Sequence, residues 1–220
     1  MAGSERQGLL IFGAGGMARE LAAWVETAAW DGTAFALMGF VDDPQPGRVL
    51  RNRPVIHLSE VPDMAPEELV FVVALGDPGL RERVVAQAES AGLRPAPPLI
   101  HPTVHVDRHG VSIGDGTIIC PGTILTTDIA IGRHVQINVQ CSLTHDVRLE
   151  DYATLAPGVH VSGRTVLRRS VFMGTGAVTV DGAPERPLVI GAGSIVGAGG
   201  VVTRDVPPNA TVVGVPARVR

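Results

Sequence analysis

The sequence predicts a small parallel α/β sheet over residues 1–98, followed by an all-β parallel β-helix over residues 99–220. Three observations carry this: a six-residue period in the second half, a strand, glycine turn and helix at the start, and a proline cluster between them. Eleven positions spaced six apart, Ile113, Ile119, Leu125, Ile131, Ile137, Leu143, Leu149, Leu155, Val161, Leu167 and Met173, are all aliphatic. Four residues beyond each stands a small or β-branched residue in almost every case, from Thr117 and Thr123 through Cys141 to Val171 and Ala177. A period of six matches neither the α-helical period of about 3.6 nor simple strand alternation, and it marks a chain winding in coils. Each hexad supplies one short strand and one corner, three hexads close a triangular coil, and coils stack at roughly 4.8 Å. Burying one aliphatic side chain is worth about 1.5 to 3 kcal/mol, so the inward column offsets much of the entropy lost in ordering a glycine-rich chain. Gly114, Gly132, Gly174, Gly191 and Gly197 directly follow inward positions, where a corner is expected to need positive φ.

The first half alternates strands and helices. Gly8 to Phe12 is an apolar run ending in Gly13-Ala14-Gly15-Gly16-Met17-Ala18, and a helical stretch follows to about Thr27. Strands are expected at Phe35 to Val41, stopping at Asp42-Asp43-Pro44, and at Leu69 to Leu75, stopping at Gly76-Asp77-Pro78; Leu80 to Ala91 reads as a helix closed by Gly92. Pro95-Ala96-Pro97-Pro98 interrupts both patterns and marks the boundary. In the second half the register of six is expected to fail after Met173, with an insertion over Thr179 to Val189, and to resume at Ile190, Val196 and Val202.

Composition excludes several function classes. A net charge of −4 without blocks of like charge gives no reason to expect nucleic acid or a membrane surface as partner. No apolar run approaches the length of a membrane span, and Met1 to Gln7 lacks the features of a secretory signal, so a cytoplasmic location is expected. In that compartment Cys120 and Cys141 read as packed thiols rather than a disulfide. No histidine or cysteine spacing matches a closed zinc site, His105 and His109 being the one near pair, and no metal is expected.

Two places carry chemistry. The turn Gly13 to Ala18 has the form G-x-G-x-x-A between a strand and a helix, where free backbone N–H groups and the helix dipole favour a phosphate. Asp42 or Asp43, ending the next strand, would accept from ribose or base hydroxyls. A glycine turn needed only for packing and a redox dinucleotide site are the competing readings; so short a leading segment favours a nucleotide-linked ligand over NAD. On the coils, His145 lies two places after the inward Leu143, toward a corner, and is followed by Asp146. An imidazole is the side chain suited to taking a proton near neutral pH, and a neighbouring carboxylate would hold its tautomer. His134 and His160 have no such neighbour, and His101, His105 and His109 cluster at the first coil, where capping or an interface role is expected.

The hexads from Ile113-Gly114 onward, the turn Gly13 to Ala18, Asp42-Asp43 and Thr144-His145-Asp146 together resemble the left-handed β-helix acyltransferases. Within these, the chain resembles the sugar acetyltransferases of the sialic acid O-acetyltransferase and bacillosamine N-acetyltransferase type. The resemblance implies a Rossmann-like leading domain that binds a nucleotide-linked sugar, a left-handed β-helix, a homotrimer, and acetyl-CoA lying in the groove between neighbouring β-helices. It implies that His145 is the general base and Asp146 the neighbour that increases its basicity. It further implies that Gly15, Gly16, Met17, Asp42, Asp43 and Gly76 bind the sugar substrate, and that Gly163, Thr175 and Ala198 meet the coenzyme. Many members carry histidine where Met17 and Thr154 stand, and some carry glutamate where Gly79 stands, so the substrate and one contact to the acetyl group are expected to differ. The expected activity is direct transfer of acetyl to the amine of a nucleotide-linked amino sugar. Sugar O-acetylation, a non-catalytic sugar-nucleotide-binding trimer and serine acetyltransferase chemistry are the alternatives.

Overall fold

The computed structural model describes residues 6–27, 33–64 and 68–220. The chain divides into two compact units, Met1–Pro102 and Thr103–Arg220.

In the first unit, β1 (Gln7–Phe12) is the middle of a six-stranded sheet with β2 (Phe35–Val41) on one side and β5 (Leu69–Val73) on the other, both parallel to it. Leu9, Leu10 and Ile11 are wholly buried, as a continuous apolar strand covered on both faces should be. Helix α1 (Gly16–Thr27) buries Ala18, Leu21, Ala22 and Val25, one face at helical spacing. Helix α2 (Pro78–Ser90) starts on two local signals: Pro78 in the first turn and Asp77, whose Oδ1 accepts from the Leu80 N–H at 2.6 Å. The sheet is wider than the sequence suggested. An antiparallel hairpin of β3 (Val49–Leu50) and β4 (Arg53–Ile56) extends it past β2, and β6 (Arg94–Pro95) pairs with β5 just inside the proline cluster. Because the chain leaves β1 through α1 toward β2 while β5 lies on the opposite side, the loops diverge at the C-terminal ends of β1, β2 and β5. A crevice opens at such a point.

The second unit is a parallel β-helix of three sheets. One face stacks Ile118–Ile119, Gln136–Ile137, Thr154–Leu155, Phe172–Met173, Ile195–Val196 and Thr211–Val213. The second runs from His105–Val106 through Ser142–Leu143 and His160–Val161 to Val201–Val202, and the third from Val111–Ile113 through Arg148–Leu149 to Leu188–Ile190. Parallel partners are one coil apart, as in Leu143 with Val161 and Leu149 with Leu167. The inward aliphatic residues from Ile119 to Met173 are at most 4% exposed, and the partner slots from Thr117 to Ala177 are equally closed. Polar members of that slot are bonded: Thr117 Oγ1 donates to the Gly132 carbonyl at 2.9 Å and accepts from the Val135 N–H at 3.0 Å. Cys141 donates its thiol to the Ala156 carbonyl at 3.3 Å, and burial pushes that thiol up to about 11. Both cysteines are buried and free. No described helix is long and apolar enough to cross a membrane.

Two expectations are corrected. Positive φ falls not directly after the inward residue but three places on, at Gly116, Gly122, Asp128, His134, Gln140, Asp146 and onward, with φ between 54° and 73° at the corners from Gly116 to Gly199. The glycines directly after inward positions serve close approach instead. A Cβ on Gly132 would stand 2.7 Å from the Asp151 nitrogen, and one on Gly174 2.6 Å from the Ala198 nitrogen, both on the next coil. The register also does not fail at Thr179. That residue occupies an inward slot at 5% exposure, its hydroxyl accepting from the Ser162 N–H at 2.9 Å, and the extra residues form a loop from Val180 to Pro187.

Leu155→Ala should lower unfolding free energy by about 2 to 5 kcal/mol, through lost burial and an unfilled cavity in the prism. Gly174→Ala should lower it by about 1 to 3 kcal/mol through overpacking against the next coil. Denaturant titration of both variants checks the two values.

Candidate active site

Strand geometry and corner geometry together set the position of His145. Leu143 anchors the strand inward, Thr144 N–H donates to the Val161 carbonyl at 3.0 Å, and the chain turns at Asp146 with φ 62°. Aspartate is among the few residues that enter the left-handed region at small cost, so the corner and the carboxylate share one residue. His145 Nδ1 lies 2.8 Å from Asp146 Oδ2. A carboxylate accepts, so Nδ1 carries the hydrogen and Nε2 presents its lone pair outward.

The next coil supports this pair. The imidazole lies against Gly163, where a Cβ would stand 2.6 Å from Cε1 and 2.8 Å from Nε2. Arg164, one coil after Asp146, donates its N–H to the His145 carbonyl at 3.1 Å and holds Nε 3.8 Å from Asp146 Oδ2. The loop 180–187 docks on the same two residues. Gly163 donates its N–H to Asp181 Oδ1 at 2.7 Å, Gly182 N–H donates to the Gly163 carbonyl at 2.9 Å, and Leu188 N–H donates to the Arg164 carbonyl at 3.0 Å. The Gly163 N–H is therefore already engaged, and the absent side chain is what this position contributes to the site. Arg164 and Asp181 were not picked out from the sequence. The signal was present, because a residue one coil after Asp146 has to stack on it.

Thr175 and Ala198 take the same place in their hexads as His145 and Gly163 but follow strands of the first face. The structure thus brings His145 and Gly163 together on one edge of the prism and sets Thr175 and Ala198, both exposed, on another. Thr154, on the first face, is 1% exposed.

In the first unit a crevice of about 290 Å³ opens at the C-terminal ends of β1, β2 and β5, and three of the six expected substrate residues line it. Gly13, Gly15, Asp42 and Asp43 line it, with Leu58, Leu80 and Val84 as an apolar wall that the sequence did not reveal. The other three do not line it: Gly16 and Met17 continue into the first turn of α1, and Gly76 follows the lining Leu75 in sequence. Gly13 is required by the fold: its φ is 96° and a Cβ would stand 3.3 Å from the Ala74 carbonyl. Gly15 and Gly16 are not, since a Cβ on either would meet nothing within 4 Å. Asp43 Oδ1 accepts from the Leu58 N–H at 2.7 Å, and Asp42 faces Arg48 at 3.6 Å. Buried Arg81 donates to the Leu75 carbonyl at 2.7 Å and so holds the turn at Gly76 from behind. No group of three metal-ligating side chains occurs among the described residues.

Residues 8–88 match the PglD N-terminal domain family. A GDP-perosamine N-acetyltransferase of Escherichia coli O157:H7 is 36% identical over 210 residues, spanning 94% of each chain. The chain belongs to the left-handed β-helix sugar acetyltransferases with repeating hexapeptides, and it is an acetyl-CoA-dependent acyltransferase. Among solved structures, WeeI from Acinetobacter baumannii AYE superposes with a TM-score of 0.86 at 33% identity, covering 96% of this chain and 99% of that one. A point mutant of the perosamine N-acetyltransferase from Caulobacter crescentus, in complex with CoA and GDP-perosamine, superposes with a TM-score of 0.86 at 31% identity over 97% and 96% of the chains. The acetyltransferase domain of PglB from Neisseria gonorrhoeae FA1090, in complex with acetyl coenzyme A, gives 0.84 at 28% identity over 98% and 100%.

Gly163→Ala should displace the imidazole and lower kcat by about tenfold or more, since ring misplacement of an ångström is costly to proton transfer. Its melting temperature should stay within a few degrees of wild type; steady-state kinetics and a thermal scan read the two effects separately.

Proposed function

We propose that this chain transfers acetyl from acetyl-CoA to the amine of a nucleotide-linked amino sugar, with His145 as general base and Asp146 as the residue that holds its tautomer. The observation that carries the reading is the His145–Asp146 pair at 2.8 Å, with Nδ1 on the carboxylate and the imidazole 44% exposed. The acceptor, once its ammonium has lost a proton, attacks the thioester carbonyl. As the C–N bond forms, Nε2 takes the second proton from nitrogen, backbone N–H groups of the coil stabilise the oxyanion, and the C–S bond then breaks. The departing CoA thiolate takes its proton from the imidazolium, which restores the neutral ring. Asp146 keeps the Nδ1 proton throughout.

In this reading the first unit binds the nucleotide and the second performs the transfer. Gly15 and Gly16 support the assignment: the fold does not need glycine there, whereas a phosphate approaching the free N–H groups of α1 does. Asp42 and Asp43, which line the crevice, then face hydroxyls of the nucleoside, and the same reading gives Met17 and Gly76 to the sugar. The relatives that bind GDP-perosamine support an amine as acceptor.

The same reading, with the two edges as the coenzyme's contacts, implies an oligomer. One coenzyme touching His145 and Gly163 as well as Thr175 and Ala198 has to lie between two copies, each contributing one set. The face between those edges carries Ile124, 46% exposed, then Ser142 and His160 on the next two coils and Val178 and Val201 beyond them in the same column. Burying that face around a threefold axis gives a homotrimer with three grooves. Both substrates are products of cytoplasmic metabolism, and the reading carries that location with it.

His145→Ala should lower kcat by about 100-fold to 10,000-fold with an unchanged trimer. The decisive assay is mass spectrometry of products from GDP-, UDP- and dTDP-linked amino sugars with acetyl-CoA. An acetyl ester in place of an amide rejects the amine acceptor. Gly16→Asp, whose Cβ meets nothing within 4 Å, should weaken nucleotide binding at least about tenfold by placing negative charge at the helix N-terminus; calorimetry with GDP and UDP reads it.

A further inference from the structure

We infer that the arginine-lined cleft beside the His145–Asp146 corner is a phosphate subsite for the coenzyme, walled by the loop 180–187. The inference rests on the acetyl-CoA reading and adds which residues hold the charged part of that molecule. The cleft has a volume of about 530 Å³. Arg148 and Val166 come from adjacent strands of the third face, Arg164 from the corner below Asp146, and Arg168 from the next turn, while Pro184 and Pro187 close the far side. Three guanidinium groups thus border one hollow.

Their charge is only partly neutralised. Arg168 Nη1 lies 2.6 Å from Glu150 Oε1, and Arg164 Nε lies 3.8 Å from Asp146 Oδ2. Among the described residues no carboxylate pairs with Arg148, which projects from its strand between Ala130 on one coil and Val166 on the other. A planar guanidinium flanked by small or apolar neighbours is well suited to a phosphate oxygen pair. The crevice of the first unit differs in kind: it is lined by Asp42 and Asp43, with no arginine or lysine.

The loop gains a purpose in this arrangement. Asp181 and Gly182 fasten its start to Gly163, and Leu188 fastens its end to Arg164, so two prolines and Ala183 are held as a fixed rim. Without those inserted residues the third face would run on flat, and the arginines would face open solvent, where screening weakens them.

The test compares wild type with Arg148→Gln and Arg148→Lys, full-length, by calorimetry with CoA, 3′-dephospho-CoA and GDP. Arg148→Gln should weaken CoA about tenfold, Arg148→Lys should recover part of that loss, and GDP affinity should not move. If the 3′-phosphate occupies the cleft, dephospho-CoA binds wild type and the glutamine variant alike; if the diphosphate does, both coenzyme forms lose affinity together. Equal CoA affinity in wild type and Arg148→Gln overturns the inference, as does a fall in GDP affinity with CoA unaffected. Wild type that binds no CoA at all would instead remove the underlying acetyltransferase reading. An unchanged melting temperature in both variants excludes loss of the fold as the cause.

Discussion

Everything in the second unit depends on a close approach of backbone to backbone from one coil to the next. The inward aliphatic column supplies the free energy, and the coil spacing is the same whether glycine follows it or not, as at Thr144 and Glu150, whose N–H groups reach the next coil at 3.0 and 2.9 Å. Where the following residue is glycine, as at 132 and 174, the next coil lies at a distance that no Cβ would permit. Inter-coil hydrogen bonds such as Gly114 N–H to the Ile131 carbonyl at 2.9 Å then form in sequence along each face. Slack in that stacking would open the prism and misalign its corners. Alignment of the corners is what superposes Asp146 on Arg164 and His145 on Gly163, so the geometry of the proposed site is inherited from packing that has no chemistry of its own.

The same corners explain why so many residues that are not glycine accept a left-handed backbone. His134, Gln140, Tyr152, Arg164 and Ser170 all do. Each costs about 1 to 2 kcal/mol relative to a relaxed conformation, and stacking along the edge repays part of it. His134 lies parallel to Tyr152 with centroids 5.4 Å apart, and Arg169 sits 4.6 Å above the same tyrosine ring. That edge is therefore structural, whereas the edge carrying His145 leaves its rings and carboxylate open to solvent.

How much of this was legible depends on how local the signal is. The period of six and the runs at β1, β2 and β5 are written in consecutive residues and were readable directly. The β3–β4 hairpin was not, because its turn is built on Arg51 and Asn52 at φ 48° and 59° without a glycine to announce it. Thr179 broke the aliphatic pattern although it keeps the register, since a hydroxyl that finds the Ser162 N–H is as acceptable inside the prism as a methyl group. For the site, His145 and Asp146 are sequence neighbours and could be paired by eye. Arg164, Asp181 and Arg148 join them only through the winding of the coil and the docking of the loop, and the separation of Thr175 and Ala198 onto another edge emerges only when hexads are counted in threes.

Asp146 shows what it means for one residue to serve two masters. Its left-handed turn would be more comfortable with glycine, which takes the same place in its hexad at Gly122, Gly158 and Gly176 on another edge, and substitution to glycine would remove both the conformational strain and the carboxylate. In the role proposed for Asp146, stability and turnover pull in opposite directions at a single codon. Engineering this enzyme for heat resistance by relieving strained corners has to exempt the very position where relief looks most attractive.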